Sequence, residues 1–112
     1  MADTQEKTIA TLEAATEIHR SPVTILDDSG QVDKRVVHIR KGEEVEWINK
    51  ADHDAEILFA ERPFDWKERF VAPHGGRKKS GPHKKDAETD HQYKYTVIGK
   101  TGTNDPIIII DK

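Results

Sequence analysis

The final residues of the chain, YKYTVIGKTGTNDPIIIIDK from Tyr93 to Lys112, decide how the rest is read. Tyr93, Tyr95 and Val97 alternate with Lys94 and Thr96, the period of two that marks a strand with one buried face. Ile107 to Ile110 is apolar at both parities, as expected of a strand covered on both sides. Between them runs a loop, and Asp105-Pro106 sets the entry to the last strand, where proline is tolerated.

Upstream, the same period recurs in short runs. Val45 and Trp47 alternate with Glu44 and Glu46 over Glu44 to Asn49, and Ile57 and Phe59 share a face over Ala55 to Ala60. Val23 to Leu26 and Val36 to Arg40 read as two further strands. Asp27-Asp28-Ser29-Gly30 and Lys41-Gly42-Glu43 are turns. Pro63, Phe64, Trp66, Phe70 and Val71 form an irregular or short helical stretch with apolar anchors. Trp47 reads as a core anchor. Trp66 reads as a lid on the core or as an exposed partner-binding patch. Short strands separated by turn residues predict an all-β sandwich.

Two regions fall outside that body. Ile, Leu, Val and Phe total 24 of 112 residues, and none lies in residues 73 to 92. That stretch holds Gly75-Gly76, Gly81-Pro82 and the cations Arg77, Lys78, Lys79, Lys84 and Lys85, so it reads as an exposed polar loop. In residues 1 to 20, Ile9, Leu12, Ala15 and Ile18 recur every three positions after Ser21-Pro22 is set aside as a break. That region is a short amphipathic helix or a frayed tail.

The segment VHIRKGEEVEWINKADHDAEILFA, Val37 to Ala60, together with Tyr93-x-Tyr95-x-Val97 and the closing apolar strand, resembles the cupredoxins, the β-sandwich family of plastocyanin and other blue-copper proteins. Lys41-Gly42, Val45-x-Trp47-x-Asn49 and Ile57-Leu58-Phe59 carry the first block. The resemblance implies a Greek-key sandwich over residues 21 to 112, with an N-terminal extension over 1 to 20 and a polar insert over 73 to 92. It also implies four copper-ligand positions: Ala55 and Lys100 where histidines stand, Val97 in place of the cysteine, and Asp105 in place of the methionine. A blue-copper centre needs a soft thiolate, and this chain has no cysteine. Val97 would extend the core to where the metal sat. Lys100 would pair with Asp105, Asp52 or Asp54 across the sealed end.

Six histidines invite a second reading. His53 lies two positions from the first ligand slot, and His74, His83 and His91 fall in or beside the polar loop, so imidazoles could hold copper or zinc. Their spacings of nine and eight lack the close pair typical of metal motifs, and the neighbouring cations repel a divalent ion. The net charge of −3 is not that of a global nucleic-acid or anionic-membrane binder. The basic patch lacks interleaved aromatics for stacking bases, which argues against nucleic acid; a protein or other anionic partner could meet it. No run approaches a membrane span, and MADTQEKT lacks the signature of a secretory signal. As written, the chain reads as cytoplasmic, or as periplasmic or extracellular if a signal has been removed. No nucleophile elbow, phosphate loop, dinucleotide fingerprint or zincin motif is present, so no enzyme is indicated. The sequence thus predicts a metal-free cupredoxin-like binding or structural module with no cofactor, or else a histidine-based copper or zinc protein.

Overall fold

The computed structural model describes residues 20 to 66 and 69 to 112. The expected N-terminal extension therefore lies outside the described residues, save Arg20, which opens the first strand. Nine strands follow in order: β1 Arg20–Ile25, β2 Val36–Arg40, β3 Glu44–Asn49, β4 Ala55–Phe59, β5 Phe70–Ala72, β6 Arg77–Lys79, β7 Gln92–Ile98, β8 Thr103–Asn104 and β9 Ile107–Asp111. They build two sheets, one ordered β1-β3-β6 and the other β2-β9-β7-β4-β5, with β8 paired to β7. β1 runs parallel to β3, and β2 parallel to β9. The other pairings are antiparallel. The chain passes back and forth between the sheets, from β1 to β2 to β3 to β4, which makes the architecture a Greek-key β-sandwich.

The alternation read from sequence is the alternation observed. Val45, Trp47 and Asn49 of β3 point into the sandwich. So do Ile57 and Phe59 of β4, Tyr93, Tyr95 and Val97 of β7, and Ile108 and Ile110 of β9. Ile107 and Ile109 are half-buried on the opposite face, so β9 is covered more fully on one side than on the other.

Trp47 sits at the centre. Phe70, Tyr95, Trp66 and Phe64 meet its rings edge-on, with centroids 5.5 to 6.5 Å away. Its indole N–H donates to the Tyr95 hydroxyl at 3.3 Å, which satisfies the one polar atom the ring would otherwise bury alone. Burial in turn drives the Tyr95 phenol far above its usual range. Trp66 is the lid: it stacks on Phe70 at 3.7 Å between centroids and donates its N–H to the Ser80 carbonyl.

Four elements differ from the sequence reading, the smallest being β8, which pairs with β7 where only a loop was expected. β1 begins at Arg20 and passes through Pro22, which was expected to break the pattern. β1 is the edge of its sheet, and an edge strand tolerates the missing N–H. Its end also differs, for Leu26 lies beyond β1 and is half exposed. Residues 70 to 72, expected to be irregular or helical, form β5 because Phe70 and Ala72 turn inward beside β4. Residues 77 to 79, expected to be loop, form β6 against β3. All three β6 side chains are exposed and charged, so no hydrophobic period marks the strand. Its pairing comes from the open edge that β3 offers.

Candidate functional site

Four connections meet at the end of the sandwich where the ligand positions were expected: residues 26 to 31, 50 to 54, 73 to 76 and 99 to 102. Ala55 opens β4 and Val97 lies near the end of β7; both are buried, Val97 completely. They present a methyl and an isopropyl group to the interior. Lys100 is exposed and has no ion-pair partner among the described residues. Asp105 instead accepts a 2.7 Å hydrogen bond from the Thr96 hydroxyl, because the β7–β9 hairpin brings those two side chains together. The expected Lys100 pairing is thus absent, and Asp54 accepts from the His74 N–H at 2.9 Å. Two hydrocarbons, an ammonium and a hydrogen-bonded carboxylate do not fit a copper ion.

What closes this end is a residue the sequence reading treated only as part of a turn. One Asp28 carboxylate oxygen accepts from the Asp52 and His53 N–H groups, both at 3.1 Å. The other lies 2.9 Å from His53 Nδ1. Its main-chain carbonyl accepts from the Thr101 N–H at 2.8 Å, and Asn104 donates to the Ser29 carbonyl next door. One hairpin tip therefore ties the β3–β4 connection to the β7–β8 connection. The hydrogen bond from His53, above all, holds the Asp28 carboxyl below its ordinary range.

The backbones here touch. A Cβ on Gly99 would lie 2.2 Å from the Asp28 carbonyl oxygen, and one on Gly30 would lie 2.7 Å from the Val97 carbonyl oxygen. Gly30 also has φ of 80°, in the left-handed region that glycine adopts freely. Behind them Asn49 is fully engaged. Its amide donates to the Ala72 and His53 carbonyls and accepts from the Ala51 N–H.

The candidate histidines are held separately. His53 is bound to Asp28. His74 is exposed, with its main chain bound to Asp54. His83 accepts from the Gly42 N–H at Nε2 and lies 2.8 Å from the Lys84 carbonyl at Nδ1, an arrangement that suits a neutral ring with its proton on Nδ1. His91 sits between Glu61 and Glu88. Among the described residues, no group of three or more histidines and carboxylates is placed to hold a metal ion.

The five cations of the polar region lie around β6 and the turn after it. Arg77, Lys78, Lys79, Lys84 and Lys85 are all exposed. Arg77 reaches Glu46 at 3.5 Å, and the Lys78 ammonium stands 5.4 Å from the Phe70 ring centroid. Ser80, missed in the sequence reading, pins the region to the body. Its hydroxyl accepts from the Val45 N–H and its own N–H donates to the Val45 carbonyl. Further on, the Glu88 N–H donates to the Tyr93 hydroxyl. No local pattern flags Asp28 or Ser80, since the partners of each that matter here, Asp52, His53 and Val45, lie far away in sequence.

No protein-family model matches the sequence, and no curated protein matches it. Solved structures do resemble it. A purple cupredoxin from Nitrosopumilus maritimus matches with a TM-score of 0.53 at 14% identity, over 81% of this chain and 99% of that one. A multicopper oxidase from Aquifex aeolicus matches at 0.55 and 17%, over 83% of this chain and 26% of that one. A copper-containing nitrite reductase from Thermus scotoductus SA-01 matches at 0.55 and 19%, over 86% and 23%. At such identities the likeness is one of fold. The chain has a cupredoxin-like fold and no cysteine. Among the described residues, no helix is long and apolar enough to cross a membrane.

Proposed function

We propose that this domain is a metal-free binding or structural module, neither an electron carrier nor an enzyme, and that it meets its partner through residues 73 to 92. The observation that carries the first half is the packing at the loop end. The fully buried Val97 occupies the cysteine slot of the resembled family, and the hairpin at Asp28 to Gly30 lies directly against the Val97 carbonyl. A thiolate-centred site would need a different side chain there. The second half is supported by charge: Arg77, Lys78 and Lys79 stand exposed on β6, and Lys84 and Lys85 are exposed further along the same stretch, in a molecule whose net charge is −3. Such a local field attracts an anionic surface without making the whole protein basic.

Calorimetric titration with Cu(II), on protein carrying no polyhistidine tag, tests the metal-free reading. The expected result is weak binding spread over several sites. Submicromolar one-to-one binding that disappears in His53→Ala or His83→Ala would overturn it in favour of a histidine-based copper or zinc protein.

A further inference from the structure

We infer that β6 is a docking edge for an extended acidic peptide, which joins the β1-β3-β6 sheet as a further strand. The inference rests on the reading of residues 73 to 92 as the contact region and names the partner's chemistry.

β6 is the last strand of its sheet, and among the described residues it pairs only with β3. The Ser80 N–H donates to the Val45 carbonyl and the Asn49 N–H to the Gly76 carbonyl, while Lys78 lies opposite Trp47. Residues of an antiparallel ladder alternate between bonding to the neighbour and turning away. Gly76, Lys78 and Ser80 therefore bond toward β3, and the main-chain N–H and C=O groups of Arg77 and Lys79 face the open edge. A partner backbone finds two donors and two acceptors there in strand geometry.

The side chains select which backbone. Arg77 and Lys79 share the outer face with Glu46, whereas Lys78 follows Trp47 to the inner side and leans over Phe70. Cations thus stand on both faces of the edge, with Lys84 and Lys85 exposed just beyond. A second copy of β6 would set like charge against like charge, which is how edge strands avoid self-pairing. A strand with carboxylates at alternate positions would set opposite charges beside Arg77 and Lys79. The positions between would lie beside Lys78, over an open cleft of about 540 Å³ lined by the rings of Trp66 and Phe70 and by the charged Glu44, Arg69 and Lys79.

The probe is a short synthetic peptide of alternating glutamate and valine, with amide exchange of the full chain followed by NMR. Bound peptide should slow exchange at the Arg77 and Lys79 amides about tenfold and leave Lys78 unchanged. N-methylation of alternate peptide nitrogens should weaken binding about tenfold. On the protein side, Lys79→Pro and Lys79→Ala remove the same charge, but only proline removes the outward N–H. Lys79→Pro should bind more weakly than Lys79→Ala. Should the peptide bind with no protection at these amides, and equally well when N-methylated, strand addition is wrong while the basic contact region stands. Absence of any peptide binding at low salt would sink both. A single-stranded oligonucleotide that binds more tightly than the peptide would overturn the acidic-peptide assignment.

Discussion

At the loop end of the sandwich polar groups converge, and at the β6 edge they diverge. Around Asp28 a single carboxylate and its own carbonyl gather donors from two distant connections, over a floor made by Val97 and Ala55. Around Arg77 to Lys79 every side chain is exposed, and the body holds the strand chiefly by its backbone. The first region is specified by close contact, so small changes in shape should be costly there. The second is specified by charge and a hydrogen-bond ladder, so its side chains should be replaceable without unfolding the protein. In many folds a loop end of this kind is where chemistry is placed, because loops vary on a rigid scaffold. Here that end is the tightly tied part, and the contact surface proposed above is a sheet edge.

The contrast can be broken most severely at Gly99. Gly99→Ala places a methyl against the Asp28 carbonyl, and neither backbone can yield without moving a hairpin. A loss of about 3 kcal/mol in chemical denaturation is expected, as for overpacked interiors. A loss under about 0.5 kcal/mol would mean that the loop end is soft.

A smaller effect should follow from Asp28→Asn, read as a function of pH. The folded protein holds this carboxyl below its ordinary value of 3.8, chiefly through the His53 hydrogen bond. A depressed carboxyl contributes stability above its unfolded pKa and loses it as pH falls through the folded one. The melting temperature of the native chain should therefore drop as acid is added below about pH 4, and part of that drop should vanish in Asp28→Asn. Asp27 and Glu56, also held low by Ser29 and Arg69, should contribute to the rest. Identical acid profiles for the two proteins would remove Asp28 from its place as the tie.

The smallest effect belongs to the edge. Lys78→Gln with Lys79→Gln should shift stability by no more than about 0.5 kcal/mol, as surface substitutions do. A large loss would show that these cations hold the fold, and the division between the two regions would fail.

Much of the body was legible in the sequence, because a half-buried strand writes its geometry as alternation. Val45 and Trp47, Ile57 and Phe59, and Tyr93, Tyr95 and Val97 all face inward as their spacing requires. The elements that were not legible lack that signature. β6 consists of three charged residues and is a strand only because β3 has an edge to fill. Pro22 looked like a terminator because sequence does not reveal which strand lies at an edge. The ion pair expected of Lys100 failed for a related reason: hairpin register, not charge, chose Thr96 as the partner of Asp105.

Composition and periodicity alone determined that the body of this chain is a β-sandwich and that the chain cannot supply a thiolate to a metal, since strand alternation is local and the absence of cysteine needs no structure. Only the tertiary structure decided that Asp28 would close the loop end and that β6 would lie open. Both depend on which distant backbones come within hydrogen-bonding reach, and sequence separation carries no information about that distance.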